Sequence, residues 1–222
     1  MQSKTRKLFA MYIVFLLLFI LLSAIPASAE KMPTAEQLWT RLQKVNPGLK
    51  DYSVRLKIKV QAKYQFLNPK LRLTGTYYFK KPDKHKLKLD RASYFLNKYP
   101  KIFGWNLPKL KEFNSKVKSV KYMGKDYYLV TLTPKTIAGD VKMERLWIDK
   151  KNYTFPKHIY EYKSGGNITL NVTYRKNGKF ILYDKMNASF DFPKEKLSAK
   201  ANATYGKYTL NKDIPDSFFD KK

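Results

Sequence analysis

His85 and His158 are the two histidines of this 222-residue chain, and a search for chemistry starts with them. An imidazole can move a proton near neutral pH or hold a metal, but each of these sits among lysines on a run that alternates like a strand. The carboxylates are sparse and isolated, and Asp149, Asp184, Asp191 and Asp213 fall at strand ends or turns. Nothing in the sequence supports a metal site built from the two histidines and a carboxylate. There is no HExxH, no GxSxG, no phosphate-binding loop and no Gly-rich dinucleotide fingerprint. Cysteine is absent, which excludes disulfides, thiolate metal sites and the acceptor a bacterial lipoprotein needs for lipidation. The expected function is therefore non-enzymatic, with no catalytic residues, no metal and no cofactor. Five Asn-x-Ser/Thr triplets begin at Asn152, Asn167, Asn171, Asn187 and Asn202; chance accounts for them in a chain rich in Asn, Thr and Ser.

The stronger signal is apolar surface set on alternating strands. Asp51 to Phe66 places Val54, Leu56, Ile58, Val60, Ala62, Tyr64 and Phe66 on one face. Arg55, Lys57, Lys59, Gln61, Lys63 and Gln65 fall on the other. Strand side chains alternate at period two, so this is one long strand with an apolar and a basic face. Leu71–Phe79 and His85–Leu89 continue the alternation after short turns, which predicts an antiparallel meander. Further strands are expected at 116–122, 127–132, 141–149, 156–162, 168–174, 180–183, 186–192 and 197–210. The total is nine to eleven. Asn177-Gly178 predicts a hairpin whose two central residues both take positive φ. Before the strands, Thr34–Val45 predicts a short helix, with Thr34 and Gln37 forming a capping box and Trp39, Leu38, Leu42 and Val45 making its apolar stripe. Between strands, Arg91–Ser115 is aromatic without a period, and a long irregular segment of this kind is commonly a lid or binding loop. The alternative is a loop whose aromatics pack as core.

The first 29 residues are expected to be a secretory signal. Lys4, Arg6 and Lys7 precede an apolar run from Leu8 to Leu22, and Ala27-Ser28-Ala29 offers a cleavage site. An uncleaved anchor is the alternative, since the run approaches the ~18 residues of a spanning helix. Either way residues 30–222, one domain, are placed outside the cytoplasm, in the periplasm or another extracytoplasmic space. The net charge is +28, of which the leader's three basic residues supply only a small part. Such a charge favours anionic partners; export turns the choice away from nucleic acid and toward membrane surfaces or cell-wall polymers. With 17 Tyr, 14 Phe and 3 Trp, the inner faces are heavily aromatic. Covered by the helix and the 91–115 segment, they leave room for an apolar cavity of the kind that holds small molecules.

The order of elements resembles a known family. A leader, the helix AEQLWTRLQ and the long amphipathic strand are followed by LTGTYYFKKPDKHKLKLD. Downstream come YLVTLTPK, the double strand ERLWIDKKNYTFPKHIYEY and the closing YTLNKDIPDSFF. This is similar to the LolA/LolB-like family of outer-membrane lipoprotein carriers and related lipid-binding proteins. The resemblance implies a mostly β fold, a half-barrel of about eleven antiparallel strands with short helices closing it as a lid. It implies a cavity that accepts acyl chains of lipoproteins or lipids and moves them across the cell envelope, without catalysis or metal. On that reading Leu56, Ile58, Val60, Leu73, Tyr77 and Phe79 form the cavity wall, and Trp39, Leu42, Phe103 and Trp105 the lid. Lys57 and Lys59 face an anionic membrane. The expected partners are lipoprotein acyl chains or lipid, an anionic membrane surface and envelope transporter or receptor proteins, with the chain acting as a monomer. The rival function is a basic extracytoplasmic binding module for anionic membrane or cell-wall polymer, or for an envelope-stress regulatory partner.

Overall fold

The structure is a computed structural model that describes residues 31–64, 66–91, 103–104, 107–136 and 139–220. The signal pattern of residues 1–29 and Trp105 lie outside the described residues. Pro33–Lys222 is one compact unit. It contains an α-helix, α1 (Ala35–Gln43), and ten strands: β1 (Asp51–Tyr64), β2 (Lys70–Lys80), β3 (Lys84–Leu89), β4 (Phe113–Tyr122), β5 (Lys125–Pro134), β6 (Val141–Asp149), β7 (Lys157–Tyr162), β8 (Asn167–Asn177), β9 (Phe180–Phe192) and β10 (Leu197–Leu210). Short 3-10 turns at Leu110–Glu112 and Asp216–Phe219 complete the described elements.

All ten strands join one antiparallel sheet in the order β3-β2-β1-β10-β9-β8-β7-β6-β5-β4. The one non-sequential neighbour is β1 beside β10, which brings the first strand of the chain against the last. The sheet is open and not strongly curled, so the half-barrel of eleven strands is not what forms. The count falls to ten because the expected strands at 180–183 and 186–192 are a single strand, β9. Tyr174 pairs with Tyr183 and Thr173 with Lys185, leaving Asp184 as an extra residue. This bulge shifts the alternation, so Leu182 and Tyr183 are both buried, and a period-two reading breaks there. The hairpin before it also differs. Asn177 pairs with Phe180, so Gly178 and Lys179 are the central residues and Gly178 alone takes positive φ, +59°. Glycine at the first central position suits a type II′ turn.

The edges β3 and β4 are lysine-rich, with Lys84, Lys86 and Lys88 on one and Lys116, Lys118 and Lys121 on the other. Charged edge residues discourage a further strand from pairing. The C-terminal segment crosses the outer face of β2 and β3. Asp216 lies 2.6 Å from Lys80 Nζ and 2.9 Å from Lys84 Nζ, and Phe218 packs on Tyr78 at 4.6 Å between ring centres. The start of that segment is held by buried Asp51, whose carboxylate accepts the Lys212 N–H at 2.9 Å.

Candidate functional site

Val54, Leu56, Ile58, Leu73, Tyr77 and Phe79 belong to one apolar cluster with β8, β9 and β10, and Val60 packs against it half-buried. The alternation of β1 and β2 therefore assigned their inner face correctly, apart from the end of β1 and Leu71 at the start of β2, which is 48% exposed. The strand stops at Tyr64, and Phe66 is 83% exposed in the turn. Over the middle of this face the space is filled. Phe103 is fully buried there, and the Tyr205 hydroxyl donates to its carbonyl at 2.7 Å. The Tyr183 hydroxyl donates to the Gly104 carbonyl at 3.2 Å. Burial pushes the phenols of Tyr77, Tyr183 and Tyr205 well above their usual range, so they stay protonated and able to donate. Glycine at 104 is required because a Cβ there would lie 1.8 Å from the Tyr77 hydroxyl oxygen. These tyrosines hold Phe103 and Gly104, the plug, onto the sheet. Of the residues expected as cavity wall, Leu56, Ile58, Leu73 and Tyr77 belong to the same buried cluster as Phe103.

The helix covers a different region. The capping box forms as expected: Thr34 accepts from the Gln37 N–H, and the Gln37 side chain accepts from the Thr34 N–H. Buried Leu38, Trp39 and Leu42 then pack on Tyr128, Val130, Leu132, Leu146, Ile148 and Phe155 of the β5–β6 side. Trp39 and Leu42 thus share no cluster with Phe103, and the expected lid is split between two regions.

Between them lies a cavity of about 630 Å³. Trp39 and Leu42 of α1, Leu49, Phe79 of β2 and the 107–110 segment supply its apolar lining. Gln43, Asn46, Lys81, Asp83, His85 and Lys109 supply the polar part. Its frame is tied by three contacts. The Trp39 indole N–H donates to the Pro108 carbonyl at 2.9 Å. Lys81 Nζ donates to the Asn46 carbonyl at 3.0 Å. The Asn46 amide brackets Ile181, donating to its carbonyl at 2.9 Å and accepting its N–H at 2.8 Å. Partial burial lowers the Lys81 pKa, and its ammonium gains from any anionic group brought beside it.

Phe79, Trp39 and Leu42 are the expected site residues that this cavity unites. Sequence reasoning read Asn46-Pro47-Gly48 only as a helix stop and Lys81-Pro82-Asp83 only as a turn. Their meeting depends on where β2 and β3 turn relative to α1, which no local pattern encodes. The two histidines part company. His85 lines the cavity, its Nδ1 2.5 Å from the Tyr77 hydroxyl. His158 is buried elsewhere, its Nε2 2.9 Å from Glu144 Oε2 and its ring 4.0 Å from that of Tyr160. Lys57 and Lys59 are exposed on the outer face, where Lys57 lies opposite Thr74 and Thr204, and Lys59 opposite Arg72 and Asn202.

An open antiparallel sheet with one helix over its inner face and an apolar cavity beside that helix defines a class of fold. Solved structures match most of the chain in fold. An outer-membrane lipoprotein-sorting protein domain from Vibrio parahaemolyticus matches with a TM-score of 0.59 at 10% identity, covering 82% of this chain and 94% of that one. A DUF1329 family protein from Desulfovibrio piger gives 0.62 at 14% identity, with the same coverages of 82% and 94%. A LolA superfamily protein from Nitrosomonas europaea gives 0.53 at 12% identity, covering 85% and 98%. The fold is thus that of LolA-superfamily and lipoprotein-sorting domains. No family model and no curated protein matches the sequence.

Proposed function

We propose that this protein is an exported, non-enzymatic carrier that takes up the acyl chains of lipids or lipoproteins and moves them through the cell envelope. The cavity beside α1 carries the reading. Its volume of about 630 Å³ lies within the usual span of small-molecule sites, roughly 300–1,000 Å³. Apolar walls with polar groups at one side suit an amphiphile, and each CH2 removed from water contributes about 0.8 kcal/mol. Trp39, Leu42, Phe79, Leu107 and Leu110 would hold the chain, while Lys81, His85 and Lys109 would meet an anionic or polar head. The likeness to lipoprotein-sorting domains supports this reading at the level of the fold. The leader would direct the chain out of the cytoplasm, and outer-face lysines such as Lys57 and Lys59 would draw it toward anionic lipid.

Titration with a fluorescent fatty acid tests the proposal. Saturable binding is expected, with little change as ionic strength rises, because acyl burial is not screened by salt. Leu107→Trp, which adds an indole at the half-buried cavity wall, should weaken binding at least tenfold. If uptake is absent, or disappears steeply with salt, the protein is instead a basic surface-binding module.

A further inference from the structure

Five large apolar residues stand exposed among the described residues, and three of them cluster at one end of the sheet, Phe66 and Leu67 in the β1–β2 turn and Leu71 at the start of β2. Phe66 is 83% exposed, Leu67 53% and Leu71 48%, all where β1 returns as β2. The base of the turn is tied to the sheet, where the Ala62 N–H donates to the Pro69 carbonyl at 3.0 Å. Exposed Lys63, Lys70 and Arg72 flank it in sequence. The β9–β10 turn lies at the same end of the sheet, because Leu197 pairs with both Tyr64 and Phe192, and it adds exposed Lys194 and Lys196. Lys70 and Lys200 both face Gln61 from either side. Among the described residues none of these cations takes part in an ion pair. Glu195 is the single carboxylate in the two turns.

We propose that this tip is a membrane-docking site, at which Phe66, Leu67 and Leu71 enter the headgroup region of an anionic bilayer while the surrounding lysines and Arg72 bind lipid phosphates. Apolar side chains held out in water by a folded turn lose nothing internal on insertion and leave water as they enter. Basic residues within a Debye length of an anionic leaflet add attraction, and neither contribution suffices alone for stable attachment. The cations crowd one another in the free protein, since Lys59 lies directly opposite Arg72, and anionic headgroups relieve that repulsion. Charge complementarity therefore selects a bilayer over an apolar protein surface.

The tip lies at the far end of β1 from the cavity, which borders Leu49 and Lys81 near Asp51. Fourteen residues of strand separate them, roughly 45 Å at the usual rise. A molecule docked by the tip would hold its cavity away from that bilayer. The inference adds to the carrier reading the place where the protein meets a membrane, and it stands or falls separately from it.

Vesicle flotation of the compact unit, residues 33–222, tests this; residues 1–32 are left off because Leu8–Leu22 would itself enter a bilayer. Binding is expected with phosphatidylglycerol vesicles and at least tenfold less with phosphatidylcholine. The double substitution Phe66→Ser with Leu67→Ser should lower phosphatidylglycerol binding at least tenfold while leaving the thermal melt and fluorescent fatty acid uptake unchanged. Phe66→Trp should add an emission component that shifts to the blue on phosphatidylglycerol alone. Replacing Lys63, Lys70 and Arg72 with Gln should remove the preference for anionic lipid. The proposal is overturned if neither vesicle binds, which would leave the tip to a protein partner. It is equally overturned if both lipids bind alike, or if the double variant binds undiminished and Lys57→Gln alone abolishes attachment.

Discussion

Two neighbouring parts of the inner face end in opposite states. Over β1, β2 and β10 the apolar residues are capped by Phe103 and Gly104, and the space is protein. Beside them, between α1, the β2–β3 turn and the 107–110 segment, residues of the same type border a cavity of about 630 Å³. Phe79 touches both, as a member of the filled cluster and a wall of the open one. Composition does not distinguish the two. The difference lies in whether a side chain from outside the sheet is held over the face by hydrogen bonds. Tyr205 and Tyr183 hold the plug down from below, whereas Trp39 ties helix to loop across the rim and leaves the interior open.

The contrast is broken most severely by removing the plug. Phe103→Ala should cost about 3–5 kcal/mol of stability, the usual range for a buried aromatic cut to alanine. It should also let the filled region accept lipid, so that fatty acid stoichiometry or chain-length tolerance rises; denaturant melts and titration read the two effects. Gly104→Ala should cost about 1–3 kcal/mol, because its Cβ collides with the Tyr77 hydroxyl and that ring is hemmed in by the core. Its expected signature is a lower melting temperature without gain of lipid capacity. Tyr205→Phe removes the donor to the Phe103 carbonyl and should cost about 1–3 kcal/mol, toward the lower end if the carbonyl finds water.

The smallest effect belongs to the outer face. Hydrogen bonds and charge from Lys80 and Lys84 lower the Asp216 carboxyl from 3.8 to about 2. A depressed carboxyl stabilises the folded state above its ordinary value and loses that contribution as pH falls through about 2. The C-terminal segment should therefore loosen from β2 and β3 between about pH 4 and pH 2, seen as faster amide exchange at Phe218. Asp216 is exposed, so a modest change is expected, and Asp216→Asn should abolish the pH step.

Much of the framework was legible because it is written locally. The Thr34–Gln37 box, the two faces of Val54–Val60 and the position, though not the type, of the hairpin ahead of β9 each depend on residues within a few positions of one another. Asp184 marks where that kind of reading fails, since a bulge changes which residues face inward without changing their types. The region around Phe103 escapes a local reading for a second reason. Leu56, Ile58, Leu73 and Tyr77 are indistinguishable in pattern from a lipid-facing wall, and Phe103, from a segment with no period, joins their buried cluster. Trp39 and Leu42 were recognisable as the inner stripe of a helix, but the partner of that stripe, the β5–β6 side, is set by sheet order. Likewise Phe66 continues the alternation of β1 in sequence, yet the strand ends two residues earlier and leaves it in water.

Photo-crosslinking with a diazirine-bearing fatty acid, followed by peptide mapping, tests the central claim most directly. Label is expected on the peptides that carry Trp39 to Leu49, Phe79 to His85 and Leu107 to Leu110. Label confined to Leu56–Val60 and Leu73–Tyr77, or no saturable labelling at all, would contradict the account.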